Sequence, residues 1–184
     1  MKPIRPSTLS RTLALIPPAV DLLAPPANAA INSFLKMENV AGESIDSNHV
    51  DWIDLFSWSF GATNSPLAGN PSSTTSAASL FTFTKALDKS SPALFLGCAQ
   101  GTIYPTVTLE LVKSTTSFMF YRITLNNVLI SSINTTGHNF DDKPGETVSL
   151  NFQKIKIEYF YPDASGATTA AQAVTWNFAT HSKD

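Results

Sequence analysis

The chain has 184 residues, 43% of them hydrophobic, which is enough to close one domain around its own core without covalent staples. Its single cysteine, Cys98, excludes an intrachain disulfide framework and any multi-cysteine metal site. With 12 Lys and Arg against 14 Asp and Glu the net charge is −2, and no basic run offers a footprint for nucleic acid. No apolar stretch approaches the roughly 18 residues of a membrane-spanning helix, so membrane insertion is not expected.

In residues 1–29, Lys2, Arg5 and Arg11 precede an apolar stretch that ends in Ala27-Asn28-Ala29, an A-x-A pattern suited to cleavage of a secretory signal peptide. Pro17, Pro18 and Asp21 interrupt the stretch, which leaves a proline-rich, disordered arm as the other reading. The folded domain is therefore expected over residues 30–184.

From there the chain reads as strands. "INSFLKMEN" gives a first strand and "LFSWSFGAT" a second, in which strict alternation sends Phe56, Trp58 and Phe60 to the core and Ser57 and Ser59 to the opposite face. Residues 61–79 hold Gly, Ser, Asn, Pro and Thr without charge or periodicity and read as one long loop. "SLFTFTKAL" is a third strand. The one convincing helix lies in "SSPALFLGCAQG", with Ser91 as N-cap, Pro92 in the first turn and Gly101 in the left-handed C-terminal position. Cys98 on this apolar helix reads as a small core residue rather than a nucleophile.

In "IYPTVTLELVK", Val107, Leu109 and Leu111 share one face, the mark of a half-buried strand. "FYRITLNNVLISS" changes phase at Asn126-Asn127, and "TVSLNFQKIKIEYFY" does so at Gln153-Lys154; each slip predicts a bulge or bend of the kind that lets one strand serve two sides of a barrel. "AVTWNFAT" is the last strand, with Trp176 in the core. One helix among many strands predicts a mainly β fold.

Catalytic and metal patterns do not emerge. His49, His138 and His181 lie far apart in polar stretches and read as solvated loop residues, without the spacing of H-E-x-x-H. There is no phosphate-binding glycine loop and no G-x-S-x-G elbow. No cofactor is implied.

Taken in order, "GES" with a following Asp and His, the "SWSF" strand, "FTKALDKSSPALF" and the "VSLNF" strand resemble the Hcp (haemolysin-coregulated protein) family of type VI secretion tube subunits, from Phe34 onward. The resemblance implies a bacterial structural protein rather than an enzyme. It implies a small antiparallel β-barrel of two sheets with one short flanking α-helix, closed into hexameric rings that stack as a secreted tube. A contractile sheath and a spike protein would be its partners, together with effector proteins in the lumen. Ser57 and Ser59 would then face the lumen, where small uncharged hydroxyls hold cargo weakly. Residues 61–79, including Pro66, Leu67, Asn70, Pro71 and Ser72, would be the ring-stacking loop. If residues 1–29 are retained, assembly is cytoplasmic. If they are cleaved, the protein is periplasmic or extracellular, and an exported filament without an injection role is the alternative. A monomeric effector-binding chaperone is a further one, and a hydrolase carried after the barrel is not expected in a chain ending at Asp184.

Overall fold

A computed structural model describes residues 30–67, 70–139, 142–162 and 168–183. The signal-peptide or proline-arm reading of residues 1–29 therefore lies outside the described residues. Alternation sets β7 (Ile103–Lys113): Val107, Leu109 and Leu111 are buried, Thr106 is exposed, and Thr108 and Glu110 are half-buried. β7 pairs antiparallel with β1 (Ile31–Met37) on one side and β8 (Phe118–Thr136) on the other.

The phase slip in β8 is a bend within one 19-residue strand. Asn127 there adopts φ 52°, a left-handed conformation that asparagine tolerates better than most residues. Before the bend β8 pairs with β10 (Lys154–Pro162), and after it with β9 (Gly145–Asn151). The second slip separates β9 from β10 at Phe152-Gln153, where the chain turns a corner. Three hydrogen bonds clamp that corner: Gln153 N–H donates to the Asn126 carbonyl (3.1 Å), Asn127 Nδ2 to Gln153 Oε1 (3.0 Å), and Phe178 N–H to the Gln153 carbonyl (2.8 Å). Both slips thus serve one purpose, to pass the chain between two sheets.

Beyond β9 the ladder continues through β6 (Phe81–Ala86) to β3 (Ser57–Ser59). Residues 53–59 close the circuit. β2 (Ile53–Asp54) pairs with β1, and Leu55 N–H still donates to the Ser33 carbonyl. One residue later Phe56 N–H donates to the Thr84 carbonyl of β6. The resulting barrel of two sheets is extended past β10 by β11 (Thr168–Asn177) and β12 (Ser182–Lys183). Leu35, Ile53, Phe81, Phe83, Ile123, Leu125 and Leu150 fill its interior.

The change of partner corrects one expected core residue. Ile53 and Leu55 point inward, as do Trp58 and Phe60, so the alternation resets between them and leaves both Phe56 and Ser57 outside. Phe56 is 72% exposed. Trp58, Phe60, Cys98 and Trp176 are partly buried and pack against the core from its margin.

Residues 61–79 also differ from expectation. They form a hairpin of β4 (Ala62–Leu67) and β5 (Asn70–Ala78), paired from Ala62↔Ala78 to Leu67↔Asn70, with Pro66 opposite Thr74. A strand with polar residues on both faces carries no hydrophobic alternation, so only backbone pairing reveals it. Its neck is pinned by Gly61 N–H donating to Ser79 Oγ (2.7 Å) and Ser79 N–H donating to the Gly61 carbonyl (2.8 Å).

Helix α1 (Ser91–Gln100) ends as expected, with Gly101 at φ 66° and its N–H directed to the Cys98 carbonyl. It starts one residue earlier, with Ser90 at the N-cap position. Ser91 has another task, because alternation along β6 points Lys85 inward and leaves it fully buried. Lys85 Nζ pairs with Asp88 (2.7 Å) and Glu146 (2.9 Å) and donates to Ser91 Oγ (3.0 Å), while the Ser91 hydroxyl donates to Glu146. The network ties the helix start to β6 and β9. Lys85→Ala is expected to cost about 3–5 kcal/mol by leaving two buried carboxylates unpaired, and Lys85→Met, with Glu146→Gln, considerably less. Urea melts of the variants measure both.

Candidate functional site: an uncharged hydroxyl face

The outer surface of the sheet β3-β6-β9-β8 is built in rows by its register. Ser57, Thr84, Thr147 and Asn134 stand opposite one another across the strands, and Ser59, Thr82, Ser149 and Ser132 form the next row. The alternating partners Trp58, Phe83, Val148 and Ile133 point the other way, toward the core. Ser57, Ser59, Thr147, Ser132 and Asn134 are exposed, Thr82 and Thr84 half-buried, and Ser149 buried. No charged side chain stands in either row.

The hydroxyls also bond to one another. Ser57 Oγ lies 2.7 Å from Thr84 Oγ1, Thr82 Oγ1 lies 3.1 Å from Ser149 Oγ, and Ser131 Oγ donates to the Ser149 carbonyl at 3.0 Å. Such a face can hydrogen-bond a passing polypeptide but holds no fixed charge or deep cleft with which to retain it. Ser57 and Ser59, singled out by alternation, are its edge. The six partners on β6, β9 and β8 become visible only when the register brings distant segments together.

The outer surface of the other sheet has the opposite character. Phe34, Glu110, Arg122 and Glu158 form a row across β1, β7, β8 and β10. Arg122 Nε donates to Glu110 (2.7 Å), and Lys156 pairs with Glu158 (2.7 Å). Phe34, on this outer side, is covered by His49, whose ring stacks on it at 4.2 Å. Nδ1 of His49 lies 2.7 Å from Asp46 and Nε2 lies 2.9 Å from Glu110. At 3% exposure His49 is not the solvated loop residue expected from sequence; the need to cover Phe34 and the two carboxylates draws it in. His181 is exposed beside Ser76, and His138 is exposed. Among the described residues no group of three or more His, Cys, Asp or Glu is arranged for a metal ion.

Of the expected stacking residues, Pro66 is exposed on β4, and the backbones of Leu67, Asn70, Pro71 and Ser72 belong to the hairpin strands. The hairpin base leans on β11, where Trp176 Nε1 donates to Ser76 Oγ at 3.2 Å. Between them lies an apolar hollow of about 290 Å³, lined in part by Phe60, Ile157, Trp176 and Phe178.

A family model described as "Type VI secretion system effector, Hcp" matches residues 34–159, which include all of the barrel strands from β2 to β9. The chain belongs to the Hcp family. It is 34% identical over 143 residues to the protein hcp1 of Pseudomonas aeruginosa, an alignment spanning 75% of this chain and 88% of that protein. A solved structure described as a type six secretion system protein superposes with a TM-score of 0.77 at 26% identity, over 84% of this chain and 100% of the other. Hcp1 of Salmonella typhimurium shares the fold, with a TM-score of 0.71 at 24% identity over 84% of this chain and 99% of its own. The mainly β fold with one short helix is thus that of Hcp proteins, and the chain is a type VI secretion protein.

Asp46 gives this Hcp protein a pH signature. The hydrogen bond to His49 holds its carboxyl below the ordinary carboxylate value. A depressed carboxyl stabilises the fold at pH values above its unfolded pKa, and that contribution is lost as pH falls through the folded value, below about 4. His49→Gln is expected to return the Asp46 titration toward the ordinary range in a carboxyl-detected NMR titration. An unchanged Asp46 titration would remove the ring as its cause.

Proposed function

We propose that this chain is a structural subunit of a type VI secretion inner tube, forming hexameric rings that stack and carry effector proteins. The observation that carries the reading is the two-row hydroxyl face of β3, β6, β9 and β8, in a chain of the Hcp family. Turned toward a lumen, a wall of Ser, Thr and Asn offers many weak hydrogen bonds and no ion pair, so cargo is held loosely and leaves easily. Contractile sheath, spike and effectors are the partners this role requires.

The hairpin suits contact with the next ring. It is uncharged from Ala62 to Ala78, and its edges carry backbone groups that a neighbouring ring can pair.

Purified protein is expected to sediment as closed rings at micromolar concentration and to form tubes visible by electron microscopy at higher concentration. A strictly monomeric species overturns the reading in favour of a monomeric chaperone. Ser59→Arg should leave rings and melting temperature nearly unchanged while reducing co-purification of lumenal protein several-fold; loss of folding would mean that this face is buried. Replacing residues 66–74 with a short Gly-Ser turn keeps the hairpin base on Trp176. Rings should survive it and tubes should not.

A further inference from the structure

The apolar hollow of about 290 Å³ between the hairpin and β11 has no part in the tube reading. Register builds one of its walls. Ile155 stands opposite Trp176 and Ile157 opposite Val174, so these four side chains share one face of the β10–β11 ladder. Ile155 is buried, Ile157 and Trp176 are half-buried and Val174 is 45% exposed, so the hollow opens outward along β11. Phe60, Phe152 and Phe178 also line it, the last two edge to face with ring centroids 6.0 Å apart. The hairpin base, with Ala62 and Ser76, supplies the facing wall.

These walls are held apart. Gly61 N–H donates to Ser79 Oγ (2.7 Å) and Ser79 N–H to the Gly61 carbonyl (2.8 Å) at the neck of the hairpin, while Trp176 Nε1 donates to Ser76 Oγ (3.2 Å) and spaces the hairpin from β11. The space between them exceeds the water-sized voids of an ordinary core and reaches the size at which small-molecule pockets begin, about 300 Å³. Its chemistry narrows the class of ligand. None of the described residues lining it is charged, so a charged molecule would lose hydration there without gaining an ion pair. Four aromatic rings, Phe60, Phe152, Trp176 and Phe178, favour a flat aromatic body that meets them by face and edge. The hydroxyl of Ser76 accepts from Trp176 and lies 3.4 Å from His181 Nδ1. With one proton and two lone pairs it can still meet one polar group of a ligand.

We infer that this hollow is a binding site for a small, uncharged aromatic molecule of one or two fused rings that bears a single hydroxyl or amide, seated among the four rings with its polar group on Ser76. All of its walls come from one subunit, so the site neither needs assembly nor follows from it. The tube reading describes a protein that carries other proteins; this site adds a small apolar compound bound to the subunit itself. A ligand of about eleven non-hydrogen atoms, binding with the efficiency of good small ligands, has a dissociation constant of about 10–100 µM.

Naphthol serves as the probe, with naphthoate and decanol as its charged and aliphatic counterparts. Calorimetric titration of the full chain should give one naphthol per subunit in that affinity range, and naphthoate and decanol at least about tenfold weaker. In protein carrying nitrogen-labelled tryptophan, the indole N–H resonance lost in Trp176→Phe should move on titration, and that of Trp52 should not. Ala62→Phe and Val174→Trp fill the hollow from its two facing walls. Each should weaken naphthol at least about tenfold with a melting temperature near the parent's, and either one alone suffices if the other folds poorly. Three results overturn the site: no saturable binding at millimolar naphthol, parent-like affinity in a folded filling variant, or a shift at Trp52 without one at Trp176. Naphthoate or decanol binding as tightly as naphthol overturns the ligand class. Each of these leaves the tube reading standing, and a monomeric parent overturns that reading while leaving this site in place.

Discussion

The barrel depends on one exchange of hydrogen-bond partners. At Leu55 the chain is still bonded to β1, and at Phe56 it is already bonded to β6. Without that step the sheet would have two open edges, one along β1 and one along β6, each exposing a row of unpaired backbone groups. Closing it has a steric cost in register. Residues 53 and 55 face inward before the step, 58 and 60 after it, and the two residues between are both turned out. The exposed Phe56, the outward serines and the inward Trp58 are consequences of one event.

Much of this fold is legible in the amino-acid order because the barrel is antiparallel and half-buried. Val107, Leu109 and Leu111 announce β7, Gly101 announces the end of the helix, and the phase slips at Asn126-Asn127 and Gln153-Lys154 mark the places where chain passes between sheets. What stays hidden depends on partners far away in sequence. Phe56 lies within a run of clean alternation, and nothing local states that its backbone changes neighbour there. Ser91 looks like an N-cap until the buried Lys85 claims its hydroxyl. His49 reads as a loop residue because Phe34 and Glu110, which draw it in, are 15 and 61 positions away. The hairpin escapes for another reason: two polar strands that pair only with each other leave no amphipathic trace. The candidate site divides in the same way, since Ser57 and Ser59 can be picked out from one strand, whereas the surface they belong to takes shape only from the register of four.

The two outer walls of the barrel solve the same problem by different means. Both consist of strand faces turned away from the barrel core. One fills its rows with Ser, Thr and Asn that bond laterally to each other, which leaves few polar groups seeking a partner. The other uses full charges in alternating sign, Glu110, Arg122, Glu158 and Lys156, whose attraction is local and screened by salt. A wall of the first kind interacts with almost anything weakly. A wall of the second kind discriminates by charge, and it suits a surface that meets a fixed partner rather than a varied one.

The junction between hairpin and barrel has a mechanical consequence. A pull on the hairpin tip along its length reaches the barrel at Gly61 and Ser79, and from there runs into β3 and β6. β3 has only three residues, so most of the load passes to β6, which is held to β9 through six residue pairs from Phe81↔Leu150 to Ala86↔Gly145. Because hydrogen bonds in an antiparallel ladder stand perpendicular to the strands, tension along β6 strains them all together instead of one after another. The far end of β6 is in turn anchored by buried Lys85. An element that looks like a slender appendage is therefore attached to a barrel ladder in the shear geometry that resists being drawn out.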